Sequence, residues 1–373
     1  MVEIIKKKNK YAANYGQPML YYIPEWDDRV DPNYDFINDN HTPNRDPYSN
    51  DVYAHEIYDE PTYDGILLSK VNAESTGPKK NKITKKGVHD FLRFPKNKPI
   101  MGDCGAFSYI DEYEPPYETR EIINYYSDLG FDYGVSIDHL IVGKYAKDKD
   151  ERIRRYELTK KNAEKFINLY NENNYDFVPI GVAQGWDKKT YKESVDNLIQ
   201  MGYKYIALGG LAKAKTKDIF PILENICSII PSYLKVHLFG VSRIETIKKF
   251  RKLGVTSFDS ASFLRRAWLS SSSNYITSSN KKYAAVRVPQ VENGRKVKTL
   301  IKSGQGTKAY FKNLEKNALK ALRNYENDDI TFEEVFNNVM KYEEEIQIPS
   351  GILKVHNKLN NNNIKIDKLY DKI

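Results

Sequence analysis

A chain of 373 residues, 40% of them hydrophobic, can build one large α/β barrel with additions or two smaller domains. Its 58 Lys+Arg against 50 Asp+Glu leave a net charge of +8 and a pI near 9.0, a balance that suits a polyanionic partner and equally suits plain solubility. Two cysteines, Cys104 and Cys227, exclude a disulfide framework and a four-cysteine zinc site, and no run of about 18 apolar residues is present to cross a membrane.

The N-terminal stretch "MVEIIKKKNKYAANYG" carries charge but no apolar signal-peptide core. With the cysteine count, this gives the expectation of a cytoplasmic protein that does not engage membranes. The 29 tyrosines and the excess of Lys and Asn, which pull the mean hydropathy to -0.66, also fit an AT-rich coding sequence and carry little functional weight. Residues 11–63 are rich in Tyr, Asp, Pro and Asn without a sustained helical or strand period. Residues 1–64 are therefore expected to form an irregular segment wrapped over a domain.

From "YDGILLSK" onward, short apolar runs alternate with amphipathic stretches, which predicts strands near 65–69, 99–103, 133–138, 177–183, 204–209, 235–240 and 256–259. Between them, "KESVDNLIQMGY" sets Val195, Leu198 and Ile199 on one helical face, and "IETIKKFRKLG" does the same with Ile244, Ile247 and Phe250. A longer charged helix is predicted over 149–173. Polar residues recur at the strand C-termini all round the series, which favours a TIM-like (β/α)8 barrel over a doubly wound sheet. Residues 65–270 are expected to hold this barrel. The basic extension 271–373 is expected to be partly helical, in "LEKNALKALRNYE" and "TFEEVFNNVMKYEEE", with the option of completing the barrel, and the run Asn360 to Asn363 reads as a linker or mobile end.

The polar strand ends are "GDCGAFSY" with Asp103, "GVSIDHLI" with Asp138, "IGVAQGW" with Gln184, "ALGGLA" with Gly209 and Gly210, "HLFGVS" with Gly240, and "SFDSAS" with Asp259. In a barrel all of these face one rim, the one on which active sites are built. Carboxylates, an amide and close-approach glycines suit a flat polar heterocycle. Two remaining carboxylates can divide labour, one as nucleophile toward an anomeric carbon and one as acid/base toward the leaving nitrogen.

In order, "DCGAF", "AQGW", "GGLA" and "FDS" resemble the D-S-G-G-F, V-Q-G-G, G-G-L-A and F-D-C motifs of the tRNA-guanine transglycosylase family, over roughly residues 65–268. The resemblance implies that Asp259 attacks C1′ of a guanosine and that Asp103 is the general acid/base. It likewise implies that Asp138 and Gln184 read the guanine edge and that the backbone at Gly209 and Gly210 closes the base pocket. No metal and no cofactor are expected.

The departures are equally specific. No cysteine follows Cys227, so the C-x-C-x-x-C and His zinc site of the tRNA-acting members is missing. "SASFLRRAW" stands where they carry P-T-R, Ala106 replaces a glycine, and Trp186 replaces the second glycine of Q-G-G. These features resemble the DpdA branch, the DNA-guanine transglycosylases. That branch implies DNA as partner, a 7-deazaguanine such as preQ0 as incoming base, and a helicase or other helper protein to open the duplex, since no P-loop occurs in this chain. Extruding a base calls for stacking partners, for which Phe107, Trp186 and Tyr109 are candidates, and for phosphate contacts, for which Arg265, Arg266, Lys85 and Lys86 are candidates. Three alternatives stand beside this reading: exchange in tRNA, simple guanine removal, and a catalytically silent nucleic-acid-binding subunit. Asp259 could merely cap the following helix. His139 reads as a core or pocket-wall residue and Cys104 as the filler of a small buried position.

Overall fold

The computed structural model describes residues 18–38, 40–241, 243–270, 272–284, 288, 290–291 and 294–361. Residues 11–17 of the Tyr/Asp-rich segment and 362–363 of the asparagine run lie outside the described residues. The chain divides into two compact units, residues 1–265 and 266–373.

The first unit is a closed barrel of eight parallel strands: β1 (Leu20–Pro24), β2 (Gly65–Ser69), β3 (Ile100–Asp103), β4 (Tyr133–Val135), β5 (Val178–Ala183), β6 (Tyr205–Leu208), β7 (Lys235–Leu238) and β8 (Ser257–Asp259), with β8 closing onto β1. Its principal helices are α1 (Gly77–Lys86), α2 (Thr119–Leu129), α3 (Lys149–Asn171), α4 (Lys188–Gln200), α5 (Thr216–Ile226) and α6 (Ile247–Lys252). A further helix, α7 (Ser262–Leu269), follows β8.

This corrects the reading of residues 1–64 as an irregular cover. "LYYIP" is a barrel strand, pairing Tyr22 with Asp259 on one side and with Gly65 on the other. The tyrosines that obscure a strand signal are what fill the barrel: Tyr22 and Tyr205 stand inside with Leu67, Met101, Val135, Ile180, Val182 and Ala207. All eight strands precede residue 260, so the C-terminal extension completes nothing in the barrel.

Alternation along each strand decides which residues face the helices. Ile206, Leu208, Val236, Leu238 and Phe258 form one outer core with α4 and α5, while Ile66, Leu68 and Ile100 form another with α2. The inward set on the late strands is His237, Phe239, Ser257 and Asp259. Helix α2 comes close because β3 and β4 carry glycines. A Cβ at Gly102 or Gly134 would overlap the Tyr126 ring, whose hydroxyl donates to the Val135 carbonyl at 3.1 Å.

Immediately after β1, the buried Glu25 accepts from the fully buried Lys79 of α1 at 2.8 Å, and Lys79 also bonds Asn72 at 2.6 Å. An uncompensated charge at such a depth costs several kcal/mol, so this pairing holds the first strand to its neighbour.

The second unit contains α8 (Arg295–Lys302), α9 (Lys308–Glu326) and α10 (Phe332–Asn361) around a small core of Val297, Leu300, Phe311, Leu314, Ala318, Tyr342 and Ile346.

Candidate active site

Asp103 and Asp259 are the last residues of β3 and β8, Asp138 and Gln184 follow β4 and β5 within three residues, and Gly209 and Gly210 follow β6 directly. The carboxyl ends of five strands thus bring the expected residues to one rim. Gln184 is fully buried and donates from Nε2 to Asp138 Oδ2 at 2.6 Å. The Tyr109 hydroxyl donates to the Asp138 carbonyl at 3.1 Å, fixing the loop that carries the carboxylate.

Gly210 lies at φ +77, and a Cβ on Gly209 would overlap the Gln184 amide. Glycine is therefore needed at both positions, at one for the left-handed turn and at the other for space. The Tyr191 hydroxyl anchors the same turn by donating to the Gly209 carbonyl at 2.7 Å.

Two buried acceptors in this cluster lack a protein partner, Gln184 Oε1 and Asp103 Oδ1. Buried acceptors in that state mark a place where something else supplies the donors. Burial, with the charges of Asp259 and Asp138 added, pushes Asp103 up to about 7 against the opposing Gly105 N–H. Burial raises Asp138 to about 6, although its bond from Gln184 works the other way. Asp103 is thus a carboxyl that holds or releases a proton near neutrality, the requirement for one group to serve as both acid and base.

Asp259 is buried, and its Oδ1 accepts from the Gly240 N–H at 2.8 Å and faces His237 Nε2 at 3.2 Å. His237 Nδ1 lies 2.9 Å from Ser257 Oγ, which lies 2.6 Å from the Tyr205 hydroxyl. With the single ring proton of His237 on Nε2, toward the Asp259 carboxylate, Nδ1 accepts, and the chain of donors runs from Tyr205 to Ser257 to His237 to Asp259. Both of these contacts of Asp259, His237 and Gly240, lie on β7 and the loop after it, while the amide of Ser262, the first residue of α7, donates to Ser260 Oγ at 3.0 Å. On the other side, the Tyr21 hydroxyl donates to the Ser260 carbonyl at 2.8 Å, and burial with the charge of Asp259 raises this phenol to about 12.

His237, Ser257 and Tyr205 did not emerge from the motifs. The available signal was the alternation of "KVHLFG" beside "SFDS": parallel pairing sets His237 opposite Ser257, so both face inward below Asp259.

The other candidates disperse. Phe107 is exposed in the loop after β3, open to a ligand. Trp186 instead packs its ring against Tyr156 at 5.8 Å and beneath Arg152 at 4.9 Å, both on α3. Tyr109 is buried and stacks on His139, whose ring is fully enclosed, so neither is an open platform. Burial holds the Cys104 thiol well above its usual range, consistent with a filler. Arg265 lies 5.8 Å from the Trp26 ring, and Arg265 and Arg266 are exposed on α7, which begins three residues after Asp259.

Lys85 and Lys86 end α1, where Gly87 abuts the Leu129 carbonyl at the end of α2. Crossover helices run antiparallel to their strands, so these lysines stand at the opposite rim from Asp103 and Asp259. Among the described residues no group of three His, Cys, Asp or Glu side chains is placed to hold a metal ion, and no helix is long and apolar enough to cross a membrane.

Comparison with known proteins agrees with this geometry. The family model described as queuine tRNA-ribosyltransferase matches residues 54–284. A DNA-guanine transglycosylase of Salmonella montevideo is 38% identical over 341 residues, 87% of this chain and 81% of that protein. Two tRNA-guanine(15) transglycosylases, from Nanoarchaeum equitans and Methanococcus aeolicus, are 28% and 26% identical over 52% and 57% of this chain, which spans under half of either protein. Barrel, rim and sequence likeness agree that the chain belongs to the tRNA-guanine transglycosylase family and is a guanine-exchanging glycosyltransferase.

Proposed function

We propose that this protein exchanges guanine in DNA for a 7-deazaguanine base, preQ0 or a derivative, through a covalent nucleotide ester on Asp259. The observation that carries the chemistry is the paired state of the carboxylates. Asp259 is held through Oδ1 by two donors, leaving Oδ2 as the attacking oxygen, while Asp103 sits in a site that raises it to about 7 and leaves its Oδ1 without a partner.

In the first half-reaction Oδ2 of Asp259 bonds to C1′ as the C1′–N9 bond breaks, and the proton of Asp103 goes to the departing guanine. In the second, the Asp103 carboxylate takes the N9 proton of the incoming base, N9 bonds to C1′, and the ester bond breaks to return Asp259. Asp138 and the Gln184 amide provide the acceptors for the base's N–H groups and a donor for its carbonyl, with Gln184 Oε1 open to a ligand donor.

DNA as the acceptor rests on the alignment with a DNA-guanine transglycosylase over most of both chains and on the missing C-terminal cysteines. The flipped nucleotide would find Phe107 as its stacking partner, Arg265 and Arg266 would hold adjacent phosphates, and a helper protein in the cytoplasm would open the duplex.

Nucleoside mass spectrometry of DNA and tRNA from cells supplied with preQ0 tests the reading. A deazaguanine deoxynucleoside that vanishes with Asp259→Ala is expected. A modified ribonucleoside in tRNA would overturn the choice of DNA, and exchange retained by Asp259→Ala would overturn the nucleophile.

A further inference from the structure

The net charge of the protein is not spread over it. Residues 266–326 contain 13 Lys+Arg against 3 Asp+Glu, so this segment exceeds the whole chain's +8 and the remainder is close to neutral. Helix α9 arranges part of that excess. Lys308, Lys312, Lys316 and Lys320 recur every fourth residue and are all exposed, whereas Phe311, Leu314, Ala318 and Ala321 point into the core of the second unit. At 100° per residue the two sets lie on opposite faces, and the lysines form one stripe about 18 Å long at 1.5 Å per residue. Helix α8 repeats the pattern: Lys298 and Lys302 are exposed opposite the buried Val297 and Leu300.

We infer that the exposed face of α9 forms a sequence-independent docking surface for the phosphate backbone of duplex DNA, separate from the residues that handle the base. The inference rests on the proposed DNA reading for the identity of the polyanion. Duplex DNA carries one charge per about 1.7 Å of axis, so a stripe that covers about 18 Å of helix axis while winding by roughly 120° spans roughly ten phosphate charges. A membrane surface is a poorer match, because the apolar face that would have to enter the lipid is already used in the core. Unpaired nucleic acid is also a poorer match. The aromatic rings of α9, Tyr310, Phe311 and Tyr325, all lie away from the lysine face, which therefore offers charge without a stacking platform. For a base-exchanging enzyme such a surface separates holding the polymer from reading the guanine. Phosphate contacts position the protein and carry no sequence information.

The test is the salt dependence of binding of the full chain to a labelled duplex of arbitrary sequence, followed by fluorescence anisotropy. In the variant Lys312→Gln/Lys316→Gln/Lys320→Gln the slope of log Kd against log salt is expected to fall by roughly 2 to 3, about 0.9 for each phosphate no longer neutralised, with at least a roughly tenfold weaker Kd at low salt. The companion Lys→Arg triple variant, which keeps the charge, is expected to bind as the parent does. Duplex binding with unchanged slope in the Gln variant would overturn the assignment, as would loss of binding in the Arg variant. Stripe-dependent binding of a tRNA transcript by a chain that ignores duplex DNA would overturn the occupant. Stripe-dependent duplex binding without base exchange in any DNA would leave the surface standing and remove the proposed reaction.

Discussion

Replacing Asp103 by Asn should make the protein more stable and inactive, with the stabilisation depending on pH. The carboxyl is raised from 3.8 to about 7 in the fold. The folded state therefore keeps a proton over a pH range in which the unfolded chain has lost it. The sign follows: stability falls as pH rises from the unfolded value of 3.8 through the folded value of about 7, and then levels off. At about 1.36 kcal/mol per unit, the plateau cost of keeping Asp103 is on the order of 4 kcal/mol, of which roughly 2 to 3 accrues between pH 5 and pH 8. Asn has nearly the same shape, does not titrate, and leaves the Gly105 N–H an acceptor. Thermal melts of the parent and Asp103→Asn proteins across that range are the assay. The advantage of the variant should widen by roughly 2 to 4 °C for each kcal/mol, the sensitivity of a domain of this size. Parallel melting curves at all pH values would refute the reasoning, because they would mean that Asp103 titrates alike in the folded and unfolded chain. The same shift sets the rate profile of the parent: adduct formation, which needs the proton, should decline above about pH 7.

Gly209→Ala should force the buried Gln184 amide aside and break its 2.6 Å bond to Asp138, so the KM for the base rises by roughly tenfold or more and the melting temperature falls with the loss of a buried hydrogen bond to a charged group, worth about 1.5 to 3 kcal/mol. Steady-state kinetics with free base as the varied substrate would show it, and an unchanged KM would count against Asp138 and Gln184 as the base-reading pair. His237→Ala should lower kcat by about ten- to a hundredfold at constant KM by removing one of the two donors to Asp259 Oδ1, and His237→Gln should recover part of the loss. Equal damage from both substitutions would mean that the ring fills space and does not orient the carboxylate.

The parts of this protein that were legible in its sequence share one physical trait: a short apolar run that ends abruptly on a polar or small residue. Strands β2 to β8 announce themselves in this way, and the ordered residues at their ends converge as the barrel requires. Strand β1 did not, because "LYYIP" fills the barrel with tyrosine and runs into a segment rich in Asp, Asn and Pro, so its strand period is masked by composition. Charge alone misplaced Lys85 and Lys86. The polarity of a crossover helix, already implied by a barrel, sends its last turn to the far rim. Trp186 was expected at the base from its place in the Q-G-G motif, but Arg152 and Tyr156 one layer out give its ring a cation and an edge to pack against. The hydrogen-bonded chain beneath Asp259 depends on the register between two strands, which no single segment encodes.

The pairing of Tyr22 with Asp259 joins positions 237 residues apart along the chain. Closing so long a loop carries an entropic cost that must be met before the pairing rewards it, and the wall beside Asp259 exists only when the first and final strands have found each other. A chain present only through the seventh strand has neither the Asp259 carboxylate nor the strand that closes the barrel. Assembly of the rim around Asp259 thus depends on closure of the ring. A chain that leaves the ring open lacks the pairing of Tyr22 with Asp259 and the wall that it forms.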